Sequence, residues 1–226
     1  KSVVSANPAA GFSIVSYTGN GINNGSATVG HGLNAAPKIV ITKIRSLSGF
    51  NWDFMTTQID GSTDYLILNT TDVKGDYSSA YQLTDTNFPN LYSSIGATVI
   101  AYCFAEVAGF SKFGSYNGID GTDVKVYTDS NGDGTGTGAF EPMFVMIKYY
   151  NNPGGNWAMF DSLRDGGNPT YNVIFANLSA AESTYSNIYG VQFDSDGFTV
   201  KGYVGGNDQI NETGGSYVYM AFANQF

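Results

Sequence analysis

The chain is poor in the residues that most often carry chemistry. Among 226 residues there is one histidine and one cysteine. One of each cannot supply a usual zinc ligand set, and Cys103 has no second cysteine for an intrachain disulfide. A Ser/His/Asp or Cys/His nucleophilic site would have to use His31, which lies between two glycines in a turn, far along the chain from Cys103. Capping backbone or pointing to solvent is its simpler role. Cys103 sits in the apolar run Val99-Ile100-Ala101-Tyr102-Cys103-Phe104 and reads as a buried structural thiol.

Charge is scarce as well. Charged residues make up 13% of the chain, against about a quarter in ordinary domains. The net charge is −9 and the sequence pI is near 4.3. Clustered Lys and Arg are missing, which argues against nucleic-acid binding and docking on an anionic membrane. No run approaches the ~18 apolar residues of a membrane-spanning helix, so no membrane insertion is expected. The opening Lys1-Ser2-Val3-Val4-Ser5-Ala6 lacks the apolar segment of a signal peptide. A start on Lys rather than Met suggests a processed product or a piece of a longer chain.

What is present is a β-protein palette. Glycine numbers 29, aromatics reach 15% and hydrophobic residues 42%, enough for a packed core rather than disorder. Tyr, Asn, Ser and Thr fill the rest, a mixture common on extracellular and virion surfaces and in contact faces where Tyr supplies rigid amphipathic area.

The chain also reads as one pattern written twice. Gly11-Phe12-Ser13 returns as Gly109-Phe110-Ser111, Pro37 with Lys43 as Pro142 with Lys148, and Asn51-Trp52 as Asn156-Trp157. Leu66-Ile67-Leu68-Asn69 lines up with Ile174-Phe175-Ala176-Asn177, and both copies close on Phe-Ala, at Phe104-Ala105 and Phe222-Ala223. A period of about 100 residues is too long for a solenoid unit and suits two β-domains or two halves of one double-layered structure.

Short β-rich runs recur in each copy: Phe12–Tyr17, Lys38–Ile44, Trp52–Met55, Tyr65–Leu68 and Val99–Phe104, then Phe144–Lys148, Trp157–Phe160 and Tyr217–Phe222. Asp196-Gly197 between Val191–Phe193 and Phe198–Val200 predicts a tight hairpin. The best helix candidate, Leu178–Ser183, is barely more than one turn. The expected fold is all-β: two tandem, jelly-roll-like β-sandwich repeats at 11–108 and 109–226, after an extended lead-in at 1–10.

The stretch Gly11-Phe12-Ser13-Ile14-Val15-Ser16-Tyr17-Thr18-Gly19-Asn20-Gly21, with Gly30-His31-Gly32-Leu33 and Ala36-Pro37-Lys38-Ile39-Val40-Ile41, resembles a repeat of marine and cyanobacterial phage virion proteins. The second copy fits through Gly109–Gly118, Phe140-Glu141-Pro142, Asn156-Trp157 and Asp161–Asp165. The resemblance implies a tail-fibre or appendage context, often beside lectin modules, and brings no catalytic motif. The two copies fill residues 11–226, so binding carried by a lectin neighbour is not part of the expectation.

Several residues carry sharper readings. Asp129-Ser130-Asn131-Gly132-Asp133-Gly134 matches the first half of a calcium loop, with Asp129, Asn131 and Asp133 as ligands. The twelfth position is Phe140 rather than Glu, so a Gly-rich surface turn is preferred and no other cofactor is expected. Trp52 and Trp157, in equivalent places, suit packing first and a sugar platform second. Tyr149, Tyr150, Tyr185 and Tyr189 lie in loop-rich stretches that could line a contact surface. Glu106, Glu141, Asp161 and Asp165 are the carboxylates a glycosidase would need, although Asp161, Arg164 and Asp165 suit an ion-pair cluster better. Sequons occur at Asn24, Asn69, Asn177 and Asn211.

The combined expectation is a non-enzymatic protein of the virion surface: a tail-fibre, appendage or capsid-decoration component serving assembly or host attachment. It is expected to be a homo-oligomer meeting other virion proteins and host-surface glycan. The alternative is a carbohydrate-binding module of a secreted or cell-surface protein.

Overall fold

The computed structural model describes residues 2–164, 166–185, 190–203 and 209–224. The chain forms two compact units, one of Lys1–Leu68 with Lys74–Glu106 and one of Asn69–Val73 with Val107–Phe226. Each is an all-β sandwich with its own core.

In the first unit the strands are β1 (Ser2–Asn7), β2 (Phe12–Thr18), β3 (Thr28–Gly30), β4 (Ile39–Ile44), β5 (Asp53–Thr56), β6 (Asp64–Ile67), β7 (Gly75–Asp76), β8 (Asn87–Pro89) and β9 (Thr98–Phe104). The large sheet runs β1-β2-β9-β4-β5-β6-β7, and β3 pairs with β8 in a small second sheet. The second unit holds β10 (Ser111–Asn117), β11 (Val124–Tyr127), β12 (Phe144–Tyr149), β13 (Trp157–Asp161), β14 (Asn172–Phe175), β15 (Ser183–Thr184), β16 (Val191–Asp194), β17 (Gly197–Val200) and β18 (Ser216–Phe222). Its large sheet runs β10-β18-β12-β13-β14-β15 and its small sheet β11-β17-β16. From β2 and β10 onward the large sheets match strand for strand, so the sequence duplication is a duplication of topology.

The extended lead-in becomes β1, paired antiparallel with β2 from Ser2↔Tyr17 to Asn7↔Phe12 and exposed along its whole length. Pro8–Ala10 then makes a single 3-10 turn, capped by the Asn7 side chain. The Leu178–Ser183 stretch forms no helix. One turn is too short to nucleate without packing, and Ser183 instead opens β15 against β14.

Period-2 alternation fixes which side chains enter each core. In β9, Val99, Ala101 and Cys103 point inward, meeting Val15, Val40, Ile44 and Met55 from the neighbouring strands. Phe88 of β8 closes this core from the second layer, with Tyr17 edge-on at 6.0 Å. Burying a ring of that size contributes on the order of 2–3 kcal/mol. The second core gathers Val145, Ile147, Phe160, Val173, Phe198, Val200, Tyr217 and Tyr219.

The hairpin forms as expected, with Asp194 opposite Gly197 across Ser195-Asp196. Gly197 is also opposite Tyr127 of β11. Its φ is 152°, and an added Cβ would fall 2.1 Å from the Val126 carbonyl oxygen. Gly197→Ala is therefore expected to cost about 2–3 kcal/mol of stability. Gly49→Ala, at φ 83° with open space around it, should cost only about 1–2 kcal/mol of backbone strain. Urea unfolding of the two variants measures the difference.

Candidate functional site: an aromatic face and an acidic cluster

The repeated Lys and Trp turn out to be cross-strand neighbours. Lys148 pairs with Trp157, and the β4–β5 register, with Thr42 opposite Asp53, sets Lys43 beside Trp52 in the same way. In both units the lysine holds the turn that precedes the tryptophan: Lys43 Nζ donates to Phe50 O, and Lys148 Nζ donates to Gly155 O at 2.7 Å and Tyr149 O at 2.8 Å. Here the likeness ends. Trp157 is 1% exposed, so it is a packing residue and offers no face to a sugar. Trp52 is only half-buried. Lys43 Nζ stands 5.9 Å from its ring centroid, within cation–π range.

Trp52 begins a row of rings on one face of the first large sheet. It stacks on Tyr102 at 6.3 Å, Tyr102 on Phe12 at 6.5 Å, and Phe12 meets Phe104 at 5.0 Å. All four are half-buried, and Ile14 and Phe50 are each 37% exposed. The Phe12–Phe104 contact recurs in the second unit as Phe110–Phe222 at 6.1 Å, which accounts for the repeated Gly-Phe-Ser and Phe-Ala signatures: they join first strand to last. A polar cleft of about 190 Å³ also opens in the first unit, between β2, β3, Asn20 and Asn90.

The other concentration of functional groups was not singled out by sequence. Lys74 Nζ lies 3.0 Å from Asp60, 2.7 Å from Asp64 and 2.5 Å from Asp76. The Asp64 side chain is fully buried, and its Oδ2 has no hydrogen-bond partner. Burial pushes Asp64 up to about 6, against the pull of Lys74. Bonds from Ser62 and Lys74 hold Asp60 down at about 2, and Lys74 keeps Asp76 below the usual carboxylate range. Although burial opposes its charge, Lys74 itself is held above its ordinary value by the three carboxylates.

The residues of the calcium-like string serve their own loop. Asp129 accepts the Gly132 amide at 2.8 Å through Oδ1 and the Gly136 amide through Oδ2. Asp133 accepts the Thr135 amide at 2.9 Å, and Asn131 donates to Thr135 Oγ1 at 3.1 Å. Among the described residues, the grouping of three acidic side chains that could hold a metal is Asp60, Asp64 and Asp76.

His31 is fully buried: its Nε2 donates to Thr84 O at 3.0 Å while Nδ1 accepts the Leu33 amide at 3.2 Å. It caps backbone, and the solvent-facing alternative does not apply. Cys103 is fully buried, and its thiol is pushed up to about 12 by burial. Tyr149 packs in the second core with its hydroxyl donating to Glu212 at 2.9 Å, so it lines no outer surface. Tyr150 and Tyr185 are half-buried. Asp161 and Arg164 pair, with Glu182 at 2.7 Å from Arg164 as the further partner. Glu141 is exposed and Glu106 half-buried. Asp165 and Tyr189 lie outside the described residues.

Two asparagines matter that the strand pattern could not reveal. Asn90 donates to Ile22 O at 2.6 Å and Tyr92 O at 2.9 Å. Asn211 donates to Thr122 O at 2.9 Å and accepts the Ile119 amide at 2.8 Å. Each pins the loop after the first long strand of its sheet, the place of the Tyr-x-Gly-Asn-Gly turn in the first copy. Asn211 is fully buried, so its sequon is closed to glycosylation in the folded state, whereas Asn24 and Asn69 are exposed and Asn177 is half-buried.

The chain belongs to the DUF7483 family, described as a domain of unknown function, whose model matches residues 1–225. The family unit therefore spans both sandwich units. No curated protein and no solved structure gave a significant match.

Proposed function

We propose that this chain is a non-enzymatic structural module of a phage virion surface, a tail-fibre, appendage or capsid-decoration component that serves assembly or host attachment. The observation that carries the reading is the duplicated sandwich, whose large sheets match strand for strand from β2 and β10 onward. Repetition of one scaffold multiplies display surface without building a reaction centre. The reactive groups support it: Cys103 and His31 are both spent on the fold. A charge-poor surface bearing exposed Val3, Ile95 and Leu163 suits packing against copies of the chain and other virion proteins.

Immunogold electron microscopy of particles from the source, with antibody raised to this chain, tests the reading. Label at a tail or fibre tip supports attachment, and even label over the head supports decoration. Label on cells or medium but not on particles would overturn it.

The half-buried Trp52 ring favours a second reading, a carbohydrate-binding module whose platform is the Trp52–Tyr102 face. It requires glycan to quench tryptophan fluorescence in the native protein, and Trp52→Ala to abolish the change.

A further inference from the structure

The duplication supplies an internal control for the acidic cluster. In the second unit Asn172 is opposite Thr184 across β14 and β15, and the pair is neutral and satisfied, with Thr184 Oγ1 donating to Asn172 Oδ1 at 2.6 Å. The matched position in the first unit sets Asp64 opposite Asp76 across β6 and β7. Like charges directly opposite on a sheet are destabilising, and here one of them is fully buried with an unpartnered oxygen. A buried carboxylate oxygen without a partner is costly, so the arrangement calls for a cation. Asp60 adds a third carboxylate from the β5–β6 turn, and one oxygen from each of the three lies within 4.8 Å of the others.

That spacing fits one ion. Calcium takes oxygen ligands at about 2.3–2.6 Å, so oxygens on opposite sides of its shell stand about 5 Å apart. All three donors are hard carboxylates, which select calcium, magnesium or manganese over softer-ligand metals. Asp60 and Asp76 are 49% and 67% exposed, leaving an open side for entry and for the waters that would complete the shell. Lys74 occupies this centre with its ammonium, as a tethered monovalent cation on a flexible stem.

We propose that Asp60, Asp64 and Asp76 form a calcium site in the first unit, and that Lys74 holds its place until the ion displaces it. Three carboxylates face a single ammonium, so a divalent ion compensates more of their charge than the lysine does. Removing the lysine removes the competitor and should tighten binding.

Isothermal titration with calcium chloride, with terbium luminescence sensitised by Tyr65 and Tyr77 as second readout, tests this. Wild-type protein should bind one calcium, Lys74→Met should bind at least tenfold more tightly, and Asp60→Asn should bind at least tenfold more weakly. The double variant Asp64→Asn/Asp76→Thr, which transplants the neutral pair of the second unit, should stay folded by circular dichroism and lose the site. No binding to wild type up to 20 mM calcium (well above the ~1 mM weak end of calcium sites) would overturn the proposal, even if Lys74→Met binds, since Lys74 would then be the permanent cation. Binding that survives the double variant would overturn it as well, and preference for magnesium would refute the choice of ion.

Discussion

Trp157→Ala should lower the unfolding free energy by about 3–5 kcal/mol, the usual cost of deleting a large buried aromatic, whereas Trp52→Ala should cost about 1–2 kcal/mol, since much less apolar area leaves water. Each residue follows an Asn and holds the equivalent place in its copy of the repeat, so sequence alone forecasts equal effects. Exposure separates them: Trp157 is 1% exposed, and among the largest fully buried side chains it stands first by volume. Its backbone N–H is also held by Asn177 Oδ1 at 2.9 Å, a bond that alanine keeps. The loss is therefore a cavity effect, and Trp157→Phe should recover roughly half of it. Urea denaturation of the three variants decides this; equal midpoints for Trp52→Ala and Trp157→Ala would show that the second ring is not packed as described.

The stability of the protein should also carry the signature of Lys148. Its side chain is fully buried, and burial pushes its pKa down to about 8 from an ordinary 10.5, with the Asp72 carboxylate pulling the other way. Between those two values the unfolded chain holds a proton that the folded one has lost. Stability from this group therefore rises with pH through that window, by about 2 kcal/mol between pH 7 and pH 10. The thiol of Cys103 works in the opposite sense above pH 9, because its folded value is raised from 9.0 to about 12, and the hydroxyls of buried Tyr17 and Tyr92 and half-buried Tyr77, raised in the same way, join it at higher pH. A single pH curve would mix these terms. The difference between wild type and Lys148→Met isolates the lysine: wild type should gain about 2 kcal/mol on the variant from pH 7 to pH 10. A gap that does not change with pH would mean that Lys148 keeps its ordinary proton affinity in the folded state.

Both predictions concern residues that the sequence flagged only as repeats, and the same holds for much of the site. The nearly continuous apolar run Val99–Phe104 was readable as a central strand, and it forms β9 between β2 and β4, but the alternation that buries Val99, Ala101 and Cys103 more deeply than Ile100, Tyr102 and Phe104 is seen only in the structure. β4, β12 and β18 were legible likewise, as β-rich apolar runs bounded by turn signals. The calcium-like string was legible too, but its Asp129 and Asp133 bond amides of their own loop. A ligand pattern in sequence cannot tell a metal loop from a self-capped turn, because both place oxygens at alternate positions.

The sequence by itself determined the class of this protein: all-β, duplicated and charge-poor, with a single thiol and a single imidazole. Its periodicities are local, and local geometry forces them. Only the tertiary structure decided which Trp is buried, that His31 lies inside, and that Asp64 faces Asp76 around Lys74. Those outcomes depend on which strands become neighbours and which face is covered. Residues far apart in the chain are brought within bonding distance by register, and no local pattern encodes that distance.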